Sequence, residues 1–277
     1  MRAWWLGTLR AQHSHIVDPL SGRRFDVMKQ CVAIDVRGDV TLESADALGM
    51  SAWLAAQHAA RVEGGACEAP CAALLTAEPA AGKTTLLSQI VATSLDGELV
   101  PVLVKTQQLQ AALLAAPDAF ASAWNYLDAY LRTEHGDGAL YRFLRQALTA
   151  RRALLLIDGL DEGGAKRDEI EAHVAQVLAP QGHVLLCTSR PAGLDVDGRF
   201  GAFRHLSLAP LSDAQQAEAL AQRLDATRAE ALAPYLRDTV PTDTETGRKV
   251  TANPLMLAMV ASVFERRGAM PETVAAL

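Results

Sequence analysis

The sequence is poor in aromatic residues, and it has no apolar run long enough to cross a bilayer. Aromatic residues make up 5% of its 277 residues, so we expect a core built mainly from Ala, Leu and Val. The longest apolar stretch, residues 254–264, is about half as long as a transmembrane helix needs to be. An N-terminal apolar run ends at Arg10, too early for a secretion signal. These absences predict a soluble, cytoplasmic protein.

Cysteine is scarce as well, with four residues at positions 31, 67, 71 and 187. Three residues separate Cys67 from Cys71, and no second pair completes a zinc site. Few cysteines without a disulfide framework indicate a reducing compartment, and we expect all four to be plain structural thiols.

The sequence also lacks a strong excess of positive charge. Its net charge is −6, with half of the residues hydrophobic and 21% charged. This gives no electrostatic reason to expect a nucleic acid or an anionic membrane as the partner. The composition is that of a globular protein, and the length allows one large domain or one domain plus a smaller one.

A phosphate-binding loop, or Walker A motif, is predicted at residues 76–87, TAEPAAGKTTLL. An apolar strand-like run precedes it and a helix-compatible run follows, which is the context such a loop requires. Lys83 would reach the terminal phosphates of a nucleotide, and the Thr84 hydroxyl would ligate Mg²⁺. The residues expected to surround the phosphates are Ala77, Glu78, Pro79, Ala80, Ala81, Gly82, Lys83, Thr84 and Thr85. The alternative is an ordinary polar turn, since the pattern calls for Gly at position 77.

An acidic turn, DGLDEG, follows the most apolar run of the chain, residues 153–157. Continuous apolar residues indicate a strand buried on both faces of a parallel sheet. Asp158, at its end, could ligate Mg²⁺ or accept a hydrogen bond from a metal-bound water. Asp161 or Glu162 could orient or deprotonate an attacking water. The alternative is a solvated turn, in which Asp and Gly are favoured.

Arg190 follows a fourth strand-like run, residues 183–187. A guanidinium there could contact the γ-phosphate of a nucleotide. It could equally be a surface arginine that pairs with a carboxylate. Because ligands bind outside the carboxyl ends of strands in open α/β sheets, the three strand ends together favour a nucleotide site.

Strand and helix patterns alternate as far as residue 208, and only helical patterns follow. The expected strands are residues 71–75, 98–105, 153–157, 183–187 and 204–208, with a further β-compatible run at 24–36. The expected helices are 46–62, 86–91, 108–150 with a break near 136–138, 168–178, 213–223, 227–237, 248–267 and one from 271 onward. We predict a three-layer α/β P-loop NTPase core with a parallel sheet, followed by a small all-helical domain. The predicted divisions are an N-terminal extension (1–70), the core (71–210) and the helical domain (211–277).

Five segments together resemble the NACHT family of signal-transducing NTPases, within the STAND class. They are AEPAAGKTTLL, LLLIDGLDEG, VLLCTSRP, LAPLSDAQ and NPLMLAMVASVF, in the family's order over roughly residues 71–271. The most specific pieces are DGLDE and TSRP. The resemblance implies Asp158 as the magnesium-site acid, Asp161 and Glu162 as the distal acidic pair, Arg190 as the sensor arginine, and Pro254 against the base or sugar.

The sequence departs from the family pattern at two alanines and at its end. The family usually has Gly at the positions of Ala77 and Ala80, and Ala80 adds a Cβ where a positive φ could be required. The chain ends before the winged-helix region of such proteins, inside an apparently helical segment. We therefore expect a truncated switch module.

The resemblance implies a switch that binds Mg-ATP and ADP and hydrolyses ATP slowly to control association or signalling. Its partners would be the nucleotide and, through regions outside this chain, a second copy or other proteins. The alternative is a module that only holds nucleotide, or a scaffold that holds none. A nucleic-acid motor lacks support from the charge, and a small-molecule kinase would leave the acidic pair and the helical part unexplained.

Overall fold

The computed structural model describes residues 1–18, 22–63, 71–244 and 247–267. In these ranges six strands form one sheet, and two more form a small hairpin. The strands are β1 (His15–Val17), β2 (Arg24–Asp26), β3 (Val36–Gly38), β4 (Ala72–Thr76), β5 (Val100–Lys105), β6 (Ala153–Asp158), β7 (Val184–Ser189) and β8 (Arg204–Leu208).

Helices flank the main sheet and make up most of the chain after it. They are α1 (Arg2–His13), α2 (Ala47–Val62), α3 (Lys83–Ser94), α4 (Thr106–Ala115), α5 (Pro117–Ala121), α6 (Tyr126–His135), α7 (Ala139–Thr149), α8 (Arg167–His173), α9 (Asp213–Arg223), α10 (Ala226–Asp238) and α11 (Pro254–Arg267). Short 3-10 turns lie at Leu160–Glu162, Gly164–Lys166 and Val250–Ala252, and a π-turn at Val174–Leu178 continues α8.

The main sheet has the order β3-β8-β4-β7-β6-β5. All of its pairings are parallel except that of β3 with β8. Every residue of β6 and β7 is buried, as their continuous apolar runs predict for central parallel strands. The predicted fold class, a three-layer α/β core followed by helices, is confirmed. Since β4 lies between β8 and β7, the loop after β4 adjoins the carboxyl ends of both neighbours.

The predicted strands of the core and most predicted helices are confirmed, with boundary shifts of a few residues. The helical stretch at 108–150 breaks near Gly136 as expected, but it also breaks before α5 and before α6. Pro117 begins α5, and the Asn125 side chain caps α6 by accepting a hydrogen bond from the Asp128 backbone N–H. The last described helix begins at Pro254 rather than at 248. The helix expected from 271 lies outside the described residues.

The stretch 24–36, expected to contain a β-compatible run, begins with β2 and ends at the first residue of β3. Turns join the two strands, and Val27, Val32 and Ile34 are buried there. These apolar side chains pack against neighbours, and their backbone does not join the sheet. The predicted boundary at residue 70 stays a prediction, although β3 from this stretch forms the edge strand beside β8.

The N-terminal helix α1 was not predicted from the sequence. It packs on α3, its buried residues are Trp5 and Leu9, and Trp5 Nε1 donates a hydrogen bond of 3.0 Å to the Pro101 carbonyl oxygen. Within the described ranges, none of the helices combines the length and the apolar character needed to cross a bilayer.

Two cysteines match the expectation of plain thiols and one does not. Cys31 and Cys187 are free, whereas Cys71 is disulfide-bonded. The expectation is therefore wrong at Cys71, and Cys67 lies outside the described residues.

The central sheet should dominate stability. Leu155, in the middle of β6, is fully buried at 0% exposure, whereas Leu114 on α4 is 53% exposed. We expect Leu155→Ala to lower the free energy of unfolding by about 2–5 kcal/mol through lost burial and a cavity. Leu114→Ala, the matched control, should change it by about 0.5 kcal/mol or less. Denaturant titration measures both, and equal effects would contradict this assignment of the core.

Candidate functional site

The loop of residues 77–82 joins β4 to α3 and is anchored at both ends. The Ala77 backbone N–H donates to the Ser189 carbonyl oxygen at the end of β7 (3.2 Å), and the Ala81 N–H donates to the Glu78 carbonyl oxygen (3.2 Å). Gly82 precedes α3 with φ of 98°, which favours glycine. A Cβ there would lie 2.3 Å from Ile34 Cδ1. The backbone angle therefore favours glycine at position 82, and a larger residue would also displace the end of the Ile34 side chain.

Ala80 has a φ of 60°, in the left-handed region. The expectation that a Cβ at this position would meet a positive φ is confirmed. An L-residue in this region costs roughly 1–2 kcal/mol relative to the right-handed form. The loop holds this conformation in spite of its alanine, so the backbone shape that glycine would favour is reached with some strain.

The first turn of α3 supplies backbone N–H groups and a lysine at the mouth of the loop. By helix geometry the first amides of α3 have no intrahelical acceptor, and they form the positive end of the helix dipole. Lys83 Nζ donates to the carbonyl oxygens of Ala77 (2.8 Å) and Glu78 (3.2 Å). The pKa of Lys83 is lowered by burial, an effect that the nearby Asp161 carboxylate opposes. The ammonium group therefore lies folded over the loop.

A chain of hydrogen bonds connects α3, β6 and β7. The Thr84 hydroxyl donates to Asp158 Oδ2 (2.8 Å), and the Thr188 hydroxyl donates to Asp158 Oδ1 (2.7 Å). Thr188 Oγ1 also accepts the Gly159 backbone N–H (2.9 Å). Asp158 is 9% exposed, so its carboxylate is held in one orientation. The sequence reasoning gave Thr188 no role of its own, although it lies in the TSRP motif.

The donor set at Thr84 and Asp158 fits Mg²⁺. Both groups offer hard oxygen atoms, which this ion prefers, and it usually takes only one or two protein ligands beside phosphate oxygens and water. Among the described residues, no group of three or more His, Cys, Asp or Glu side chains forms a metal site.

The acidic turn places its two distal acids differently. Asp161 accepts from the Arg190 backbone N–H (3.0 Å) and pairs with Arg190 Nε (3.1 Å). Glu162 is exposed, and its side chain folds back to within 3.1 Å of the place that a Cβ on Gly159 would occupy. The turn itself closes by a hydrogen bond from the Glu162 N–H to the Gly159 carbonyl oxygen (2.9 Å). Arg190 thus has the carboxylate partner that its alternative interpretation required, while it also lies at the cleft.

The helical part reaches the loop through Asn253 and Pro254. Asn253 Nδ2 donates to the Pro79 carbonyl oxygen (3.0 Å), and Asn253 Oδ1 accepts the Leu255 N–H (3.0 Å) at the start of α11. Pro254 Cγ lies 4.0 Å from the position of a Cβ on Gly82. The start of α11 and the loop, 174 positions apart in sequence at this hydrogen bond, therefore meet.

Two adjoining clefts lie over the loop, with volumes of about 340 Å³ and 130 Å³. The larger is lined by Pro79, Ala80, Gly82, Lys83, Thr84, Thr85, Glu162, Arg190 and Pro254, with Ile16 and Phe25 of the β1–β2 hairpin. The smaller is largely apolar, and both share Ile16, Phe25, Gly82, Thr85 and Pro254. The remaining predicted site residues, Ala77, Glu78, Ala81, Asp158 and Asp161, lie beside the clefts through the hydrogen bonds given above. All predicted positions meet in one place, and their roles stay predictions.

The hairpin was missed by the sequence reasoning, and a buried ion pair holds it in place. Arg223 at the end of α9 pairs with Asp18, and its guanidinium lies 4.8 Å from the centre of the Phe25 ring. Arg223 also donates to the Ser262 hydroxyl and lies 3.7 Å from Glu265, both on α11. These contacts join the hairpin to two helices of the C-terminal part. In the sequence, the hairpin's attachment is indicated only by two isolated charged residues, Asp18 and Arg223.

Comparisons with known proteins identify no family for this chain. No protein-family model and no curated protein matches the sequence. Among solved structures, PCH-2 of C. elegans is 15% identical with a TM-score of 0.40, and the match covers 81% of this chain and 64% of that one, slightly under two thirds. Domain III of the replication initiation protein DnaA of Thermotoga maritima is 14% identical with a TM-score of 0.44, covering 78% and 85%.

A chain of the HORMA:CdnC:Trip13 complex of E. coli MS115-1 is 16% identical with a TM-score of 0.45, covering 89% of this chain and 98% of that one. At these identities and TM-scores, no property of the three proteins can be assigned to this chain. The class follows from the coordinates: an α/β fold with a P-loop-like connection between β4 and α3.

The strain at Ala80 can be measured. We expect Ala80→Gly to raise the free energy of unfolding by about 0.5–1 kcal/mol, because relief of the left-handed conformation exceeds the entropy that glycine adds to the unfolded chain. Ala81→Gly is the matched control, since Ala81 is not among the described residues with a positive φ. It should lower stability by about 0.5–1 kcal/mol. Equal effects of the two substitutions would show that the loop carries no strain at position 80.

Proposed function

We propose that this chain is a NACHT-like nucleotide-binding switch that binds Mg-ATP and ADP and hydrolyses ATP slowly. The observation that carries the proposal is the hydrogen bond between Thr84 on α3 and Asp158 at the end of β6. It places a hydroxyl and a carboxylate side by side next to a loop with a lysine and a helix N-terminus. Together these are the protein groups that a magnesium nucleotide requires.

The phosphates would occupy the larger cleft. Backbone N–H groups of the loop and of the first turn of α3 would donate to their oxygens. Lys83 would leave the carbonyl oxygens of Ala77 and Glu78 and turn to the terminal phosphates, a better acceptor for an ammonium group. Thr84 and Asp158 would hold Mg²⁺, which, when bound, would neutralise charge on the phosphate oxygens.

The acidic turn would accept a proton from the attacking water, and Arg190 would contact the γ-phosphate. Glu162 lines the larger cleft and is exposed, so its carboxylate can accept a proton from a water in line with the γ-phosphate. Asp161 is the second candidate for this role. Arg190 lines the same cleft and could donate to a γ-phosphate that ADP does not have.

The base or sugar would lie in the smaller, apolar cleft against Pro254. Its walls come from the N-terminal hairpin, the loop and α11, so one ligand would contact all three parts of the chain. A nucleotide could therefore change how the helical part sits on the core, which supports a switch that controls association or signalling. The protein partners of such a switch are proposed to bind through regions outside this chain, and a cytoplasmic location is part of the same proposal.

The alternative function is a module that binds nucleotide without hydrolysing it, or a scaffold of the same fold. Ala80 favours this alternative, because its Cβ and its left-handed backbone stand at the phosphate approach. The intact set of Lys83, Thr84, Asp158 and Glu162 favours the switch.

Removal of the loop lysine tests nucleotide binding. Lys83→Ala should weaken Mg-ATP affinity roughly 10- to 100-fold, because one charge-assisted hydrogen bond is worth about 1.5–3 kcal/mol. Lys166→Ala, which removes a lysine paired with Glu169 away from the cleft, is the control and should leave affinity unchanged. Calorimetric titration measures both, and unchanged affinity in Lys83→Ala would refute the P-loop assignment.

Neutralisation of the cleft carboxylate tests hydrolysis. Glu162→Gln should keep ATP binding and slow phosphate release by about 100-fold or more, since a positioned base contributes on that order. Asp168→Asn changes an exposed acid on α8 that pairs with Arg199 outside the residues lining the cleft, and this variant should release phosphate at the wild-type rate. If the wild type itself releases no phosphate while binding ATP, the non-hydrolysing alternative holds.

A further inference from the structure

Asp161 and Glu162, the two neighbouring acids of the turn, have different surroundings, and this indicates different roles for them. Glu162 is exposed and lines the larger cleft. The Asp161 side chain is only 10% exposed, and each of its oxygens already accepts a hydrogen bond or ion pair from Arg190. A group that takes a proton from water needs an oxygen available at hydrogen-bond distance from that water. Glu162 meets this condition better than Asp161, because Arg190 already takes one acceptor site on each Asp161 oxygen.

Asp161 contacts both the backbone N–H and the side chain of Arg190. Its Oδ1 accepts the Arg190 backbone N–H at 3.0 Å, and its Oδ2 lies 3.1 Å from Arg190 Nε. The Arg190 side chain is 48% exposed, and the described residues provide no hydrogen-bond partner for its two terminal NH₂ groups. The guanidinium is thus fixed by its Nε edge, while its terminal donors remain available at the cleft wall.

The turn that carries Asp161 is itself tied to the strand that carries Arg190. Thr188, two residues before Arg190, accepts the Gly159 N–H and donates to Asp158. Hydrogen bonds from the Glu162 and Gly163 N–H groups close the turn internally. Asp161 therefore stands on a frame that already positions the proposed magnesium ligand.

We propose that Asp161 is a positioning residue that orients Arg190 toward a γ-phosphate and thereby sets the preference for ATP over ADP. The inference rests on the proposed function, because it requires that the cleft bind a nucleotide. A flexible arginine loses side-chain entropy when it binds a phosphate, and an arginine held in place loses less. An arginine held in this way stabilises only a bound nucleotide that has a γ-phosphate, which is ATP and not ADP.

The test is the ratio of affinities for ADP and a non-hydrolysable ATP analogue, measured by calorimetry with Mg²⁺. Asp161→Asn keeps an oxygen for the Arg190 backbone N–H but loses the charge that holds Nε. We expect the preference for the ATP analogue to fall roughly tenfold, as in Arg190→Ala. The double variant should match Arg190→Ala alone, because both substitutions remove one interaction.

The matched control is Glu162→Gln, which removes the same charge from the same turn without touching Arg190. Loss of a negative charge beside an anionic ligand favours the more highly charged ATP analogue. Glu162→Gln should therefore leave the ratio unchanged or raise it, whereas Asp161→Asn should lower it. A charge effect alone cannot produce this difference in sign.

Three outcomes would overturn the inference. A ratio that is unchanged or raised in Asp161→Asn, while Arg190→Ala lowers it, would show that Arg190 acts without Asp161. Loss of phosphate release with an intact ratio would make Asp161 the base. If the wild type binds neither nucleotide, both the proposed function and this inference are wrong. The first two outcomes contradict only this inference and are compatible with nucleotide binding. Thermal melting of each variant confirms that it is folded.

Discussion

The hydrogen bonds that Asp158 accepts from Thr84 and Thr188 are the interaction on which the site depends. They fix a carboxylate at the end of β6 between the helix after the loop and the strand that leads to Arg190. The parallel sheet makes this possible, because the carboxyl ends of β4, β6 and β7 lie at one edge. With the carboxylate nearly buried, the three hydroxyl and carboxylate groups have little freedom to rearrange. The site is therefore organised before any ligand arrives.

A second constraint joins the distant ends of the chain around this frame. The buried pair of Arg223 and Asp18 attaches the N-terminal hairpin to α9 and α11. Asn253 attaches the start of α11 to the loop. Removing one member of a buried pair leaves an uncompensated charge, which is strongly destabilising. The walls of the apolar cleft are consequently held by polar contacts at its rim, and movement of the helical part would have to break them.

The sequence was sufficient for the core sheet and for the strand ends, because both are local patterns. Continuous apolar runs predict buried parallel strands, and the Gly-Lys-Thr and acidic motifs lie directly after them. Ile16 and Phe25 could not be found this way, since β1 and β2 are three residues each and their place depends on Arg223, far away in sequence. Asp161 and Glu162 are adjacent and chemically alike. Only the geometry of the 3-10 turn shows which of them meets Arg190 and which meets the cleft.

The central claim, that the cleft over the loop holds a nucleotide, is tested most directly by identifying what the purified protein releases when it is denatured. A site formed by a hairpin, a loop and a helix should release its ligand slowly, so we expect close to one adenine nucleotide per chain, mainly ADP. Protein that releases no nucleotide and also fails to take up added Mg-ATP would contradict the account.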